Sequence, residues 1–175
     1  MSGTPEFSRR VRLSRIGAKP YHQQISATDA ERAALARRFD LVSLDRLEAA
    51  VELTPRGERT ILLRADFAAD FEQRCIVTLD PIAGALAERF ELLYGPQEAE
   101  ETASGLVGED AAFEPLIGEE IDIGEAVAQE FSLALPPFPR SPEIRVETET
   151  ESEPATASHP FAGLMRLVDR DGDKR

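Results

Sequence analysis

One cysteine, two histidines and no tryptophan in 175 residues leave little from which metal sites, thiol catalysts or disulfide frameworks are built. With Cys75 alone there is no internal disulfide, which fits a reducing cytosol. A structural zinc site draws on about four ligands with paired Cys or His spacing, and neither His22 nor His159 stands in such spacing with Cys75. A thiol nucleophile works with a His base and a third orienting group. His22 reads as a loop residue and His159 lies beside a helix start, so nothing ties either to Cys75. In "RCIVTL" that cysteine reads as a small core residue of a strand.

Long apolar runs are missing as well. No stretch approaches the roughly 18 apolar residues of a membrane helix, and "MSGTPEFSRRVRLSRIG" at the start has no run of signal-peptide length. The chain is therefore expected to be soluble and cytoplasmic, without a membrane partner. Its glycines form neither G-x-x-x-x-G-K nor G-x-G-x-x-G, so no phosphate loop is expected. "DRDGDK" near the end resembles the opening of a calcium loop, but Gly172 comes too early and the chain lacks the closing glutamate such a loop needs. No general acid/base pair stands out among the carboxylates. The residues alone point to a non-enzymatic protein with no catalytic residue, metal or cofactor.

What the sequence has in quantity is charge, unevenly placed. The net charge is −13. Residues 1–64 carry twelve basic and eight acidic side chains, a net of +4, and residues 65–175 carry eight and twenty-five, a net of −17. Nucleic-acid affinity comes largely from neutralising phosphates, so the acidic portion suits a basic protein, and DNA is not expected as a partner. The N-terminal portion, with Arg9, Arg10, Arg12, Arg15 and Lys19 close together, is suited to RNA.

Apolar spacing then sets out the elements. "SRRVRLSRI" alternates Val11 and Leu13 against arginines, as a half-buried strand does. Its outer face reads either as an edge kept soluble by charge or as an RNA-touching strip. In "SATDAERAALARRFD" Thr28 and Glu31 form a capping box, Leu35 and Phe39 recur at helical spacing, and Arg37 and Arg38 suit the C-terminal dipole. From Leu47 the period is two, with Leu47, Ala49, Val51 and Leu53 opposite Glu48 and Glu52. "TPRGE" turns the chain. "RTILLRADFAADFEQRCIVTL" continues with Ile61, Leu63, Ala65 and Phe67 on one face, and its length predicts a bend near "AADF". "PIAGALAERFELLYG" aligns Leu86, Phe90, Leu92 and Tyr94.

Residues 97–120 hold eight acidic residues and no basic one and read as a loop with apolar islands at "GLV" and "FEPLI". Asp122 and Glu125 open a second helix, with Val127, Phe131 and Leu135 on one face, and Pro136 and Pro137 end it. The expected fold is thus α+β: an antiparallel sheet or small open barrel with packed helices, an acidic loop at about 96–120 and a flexible C-terminal tether. Residues 1–140 would form one domain, 141–158 a disordered linker and 159–170 a short amphipathic helix.

Three stretches, "CIVTLDPIAGALAERFELLYGP", "EEIDIGEAVAQEFSLALPPFP" and "HPFAGLMRLV", together resemble the YceD family of large ribosomal RNA subunit accumulation proteins. In the family the first commonly carries C-x-R-C, of which Arg74 and Cys75 stand here. The second matches an E-x-I-D-L start and L-A-L-P exit, and the third an N-P-F-A-x-L-x-x-L ending. The resemblance spans about residues 70–168. It implies a factor, found widely in bacteria and plastids, for 23S ribosomal RNA accumulation or processing and large-subunit assembly, and it brings no catalytic residue. Many members carry further cysteines near the first motif and after the L-A-L-P exit, suggestive of a metal site. "PPFPRSPE" has none, so no zinc site is expected here.

On this reading the partner is 23S rRNA or a precursor large-subunit particle, contacted through Arg9, Arg10, Arg12, Arg15, Arg37 and Arg38. The alternative is an acidic module holding a basic ribosomal protein, through Glu119, Glu120 and Asp122 and through Phe161, Leu164 and Leu167 of the C-terminal segment. That segment either docks back on the domain or folds onto a ribosomal partner.

Overall fold

Three runs of alternating apolar and polar residues, thirteen to fifteen residues each, dominate the architecture. The structure, a computed structural model, describes residues 5–57, 59–97 and 112–143. In chain order it has β1 (Arg10–Arg12), a 3-10 turn (Leu13–Arg15), β2 (Tyr21–Ser26), α1 (Asp29–Arg38), β3 (Ser43–Pro55), β4 (Ile61–Arg74) and β5 (Pro81–Gly95). Then come β6 (Ala112–Pro115), β7 (Glu120–Asp122) and α2 (Ile123–Ala134). The packed unit runs through Ser141. Phe161, Leu164 and Leu167, with the expected linker and C-terminal helix, lie outside the described residues.

The five-stranded sheet has the order β2-β3-β4-β5-β6, and its edges do not meet, so the fold is α+β with an open sheet. All pairs are antiparallel except β5 with β6. Because side chains alternate across a pleat, Leu47, Ala49, Val51 and Leu53 of β3 and Leu63, Ala65, Phe67, Ala69 and Phe71 of β4 point to one face. There they form the core with Leu35, Val127 and Phe131. The other face carries Glu48, Glu52, Arg64, Asp66 and Asp70 to solvent. The separate β1–β7 pair sets Arg10 opposite Asp122, Val11 opposite Ile121 and Arg12 opposite Glu120.

Several expectations are corrected. No turn interrupts β4 at "AADF": the strand is paired with β3 and β5 through this stretch. The irregularity falls in β3, as a bulge between Leu44 and Arg46, and the strand begins at Ser43 rather than Leu47. The N-terminal alternation yields only three strand residues, because the chain turns at once in the 3-10 turn Leu13–Arg15, closed by the Ile16 N–H on the Leu13 carbonyl (2.9 Å). "YHQQIS" is an edge strand, so His22 lies in β2 and not in a loop. Only Ile25 of that strand is buried, which left no apolar alternation to read. "FEPLI" supplies β6 to the far edge. Cys75 is buried, as expected, but it opens the β4–β5 turn instead of lying within a strand.

Both helix starts are as the spacing predicts. Thr28 Oγ1 accepts from the Glu31 N–H while the Glu31 carboxylate accepts from the Thr28 N–H. Asp122 accepts from the N–H groups of Gly124 and Glu125. Leu135, the residue before Pro136, is extended (φ −61°, ψ 136°), which ends α2.

Candidate nucleic-acid interface

The N-terminal arginines, neighbours in sequence, have different surroundings. Arg9 is built into the fold. Its guanidinium donates to both Glu31 oxygens (2.7 and 2.9 Å) and to the carbonyls of Ser8 (2.8 Å) and Ser26 (3.1 Å), and it lies 4.7 Å from the centroid of the Phe7 ring. Its backbone N–H donates to Asp122 Oδ1 at 2.7 Å. This pairing holds the Glu31 carboxyl down to about 2, first through the Arg9 hydrogen bonds and further through Thr28.

Arg38 is similarly engaged. It donates to Glu125 (3.0 and 2.8 Å) and to Glu6 (3.0 Å), joining the end of α1 to the first turn of α2 and to the N-terminal segment. Arg10 and Arg12 are open to solvent and face Asp122 at 3.8 Å and Glu120 at 3.2 Å. Arg15 and Arg37 are exposed, and neither makes an ion pair with a described carboxylate. The Arg15 guanidinium lies 5.8 Å from the Tyr21 ring centroid. Of the six arginines, two are internal ties, two face acidic residues of β7, and Arg15 and Arg37 stand apart.

The acidic residues proposed for partner binding have structural duties too. Asp122 caps α2 and receives the Ser8 hydroxyl and the Arg9 N–H. Glu120 faces Arg12. Glu119 is exposed, and its carbonyl anchors Leu13. Near them, burial and the charge of Glu114 push the Glu130 carboxyl up, and burial with Glu114 does the same to the Tyr94 phenol.

The β4–β5 turn is stitched by Cys75 N–H to Asp80 carbonyl and Leu79 N–H to Cys75 carbonyl, both 2.9 Å. The Thr78 N–H lies 3.5 Å from the Cys75 sulfur. Hydrogen bonds from Thr78, side chain first and then backbone, bring the thiol down to about 7. The Ile76 N–H donates to the Pro139 carbonyl at 3.0 Å, so the turn abuts the chain leaving α2. These are the two stretches where the resemblance places extra cysteines, and here they supply one thiol and no second soft ligand. Among the described residues no three His, Cys, Asp or Glu side chains converge for an ion. The donor set does not fit zinc.

A family model described as large ribosomal RNA subunit accumulation protein YceD matches residues 63–167. The chain belongs to the YceD family. Neither a curated protein nor a solved structure matches it. The match takes in most of β4, all of β5 to β7 and α2, and β1 to β3 with α1 lie ahead of it. Among the described residues no helix is long and apolar enough to cross a membrane.

Sequence reading passed over two further positive residues, Arg56 and Arg59 in the β3–β4 turn, both exposed. "TPRGERT" signals a turn, but only the strand register says what lies beside it.

Proposed function

We propose that this protein supports 23S rRNA accumulation and processing, and large-subunit assembly, as a cytoplasmic binding factor with no chemistry of its own. Its partner is 23S rRNA or a precursor particle that contains it. The observation that carries this reading is membership of the YceD family over residues 63–167. The net +4 of residues 1–64 supports contact with phosphates, in a chain otherwise too acidic to attract them.

The test is affinity capture of the tagged protein from cells at low salt, with and without ribonuclease. Recovery of 23S precursor or large-subunit particles, lost on ribonuclease treatment, is the expected outcome. A flat salt response of the purified protein toward rRNA would count against direct contact.

The outer sheet face favours a second reading, an acidic holder for a basic ribosomal protein. There Arg46, Arg64 and Arg89 each already bind a carboxylate at 2.7 Å, and Glu48, Glu52, Asp66, Asp70 and Glu91 outnumber them. On that reading a basic ribosomal protein stays bound after ribonuclease and is released when these carboxylates are neutralised.

A further inference from the structure

Of the fourteen arginines among the described residues eight face a carboxylate, six of them closely. Arg9, Arg32, Arg38, Arg46, Arg64 and Arg89 each hold a carboxylate oxygen at 2.7–2.8 Å. Arg15, Lys19, Arg56 and Arg59 make no ion pair with a described carboxylate, and all four are exposed. The fold gathers them at one end of the sheet. Tyr21 pairs with Leu53, so Lys19 precedes β2 beside the last residues of β3. Pro55 pairs with Ile61, and the Arg56 N–H donates to the Thr60 carbonyl at 2.9 Å, which closes the turn bearing Arg56 and Arg59 at that same end. Arg15 is brought there by its contact with Tyr21.

The turn is tight. A Cβ at Gly57 would lie 2.8 Å from Thr60 Oγ1, a buried hydroxyl with no hydrogen-bond partner among the described residues. Of the carboxylates near this end, Glu114 opposite Tyr94 belongs to the β6 edge, across the sheet from β2, Glu52 faces His22 at 3.5 Å, Glu120 is paired with Arg12, and Glu119 lies opposite Leu13. In sequence the turn 56–59 holds two arginines and one glutamate.

We infer that this end of the sheet, Arg15 and Lys19 beside the Arg56–Arg59 turn, is the surface that takes the phosphate backbone of RNA. The inference rests on the RNA-binding reading above; of the six arginines expected to contact RNA, only Arg15 belongs here. Guanidinium forks match phosphate oxygens bidentately, and three of the four groups are arginines with donors uncommitted to any described carboxylate. In a chain of net charge −13, such a cluster suits a densely charged anion within about one Debye length. All four residues precede residue 63, outside the stretch that the family model matches.

Matched pairs at the two ends of β4 test this. The full-length protein is titrated with in vitro transcribed 23S rRNA across a salt series, as wild type, Arg56→Ser/Arg59→Ser, Arg15→Ser/Lys19→Ser and Arg74→Ser/Arg140→Ser. Arg74 and Arg140 are exposed, make no ion pair with a described carboxylate and stand at the other end of β4, so the last pair removes the same charge elsewhere. Thermal melts of each variant restrict the comparison to binding.

Each of the first two pairs is expected to weaken binding about tenfold or more near 0.1 M salt. Each should also lower the slope of log K against log salt by about two. The third pair leaves both close to wild type. Equal losses from all three pairs, or none from the first two, overturn this surface while RNA binding itself stands. A wild-type protein that does not bind the transcript overturns the surface and the RNA-binding reading together.

Discussion

The two helices are fixed to the same sheet by different forces. α2 buries Ile123, Gly124, Ala126, Val127, Ala128 and Phe131. The Phe131 ring meets Phe39, Phe67 and Phe71 edge-on at centroid distances of 5.9, 6.4 and 5.7 Å. α1 buries only Leu35 and Ala36, and polar ties surround it: the capping box, the Arg9–Glu31 pair, Arg32 on Asp29 and on the Ala27 carbonyl, and Arg38 on Glu6 and Glu125. Apolar burial supplies most of the stability of a fold, whereas exposed ion pairs contribute little each and weaken with salt. α2 therefore anchors the domain, and α1 is positioned by charges on it.

The largest expected effect follows from removing the anchor. Phe131→Ala leaves a cavity among three other rings and should cost about 3–5 kcal/mol in urea unfolding. A loss below about 1 kcal/mol would mean that the core does not centre on α2.

Gly124→Ala attacks the same helix by overpacking. Its Cβ would sit 2.5 Å from the Phe7 carbonyl oxygen and 3.0 Å from the Arg9 nitrogen. That backbone collision outweighs the helix preference for Ala of about 1 kcal/mol. A net loss of about 1–3 kcal/mol is expected, with faster hydrogen exchange at Val11 and Arg12 as the displaced segment loosens.

Glu31→Gln weakens the charge ties of α1 and should cost about 1.5 kcal/mol at neutral pH. Its signature is the pH dependence. The folded carboxyl titrates at about 2, below its ordinary 4.5, so its stabilisation is full above about 4.5 and is lost as pH falls toward 2. Wild-type melting temperature should therefore fall toward the variant's across that window. A difference that stays constant from pH 6 to pH 2 would show that the Arg9–Glu31 charge pair is not what holds α1.

The smallest effect, about 1 kcal/mol, is expected for Thr28→Ala, which removes half of the capping box. Amide exchange should quicken in the first turn of α1 and stay unchanged in α2. Quickening in both helices would mean that they are coupled more tightly than the Arg38–Glu125 contact implies.

This division also explains what was legible in the sequence. Capping residues and apolar spacing act within a few positions, so Thr28 with Glu31, Asp122 with Glu125, and the Val127–Phe131 face could be read directly. The alternation of β3 to β5 was equally local. An edge strand such as β2 needs few apolar residues, and a bulge relieves strain between two strands, so neither leaves a periodic trace. The role of Arg9 was hidden because its partners, Glu31 and Asp122, lie 22 and 113 positions away. Charge can be counted from sequence, but neutralisation depends on register. For the same reason Arg56 and Arg59 could not be placed beside Arg15 and Lys19 until Pro55 was seen opposite Ile61.

The β1–β7 pair also imposes an order of events during synthesis. β1 is made before β7, and Asp122, which receives the Arg9 N–H, follows it by 113 residues. At elongation rates of about 5–20 residues per second that is a wait of about 6–23 seconds. Through that interval Val11 has no Ile121 to cover it, and Arg9 lacks its Asp122 contact. Chains arrested before Asp122 cannot close this clasp, so completing the N-terminal part of the domain requires synthesis to pass the start of α2.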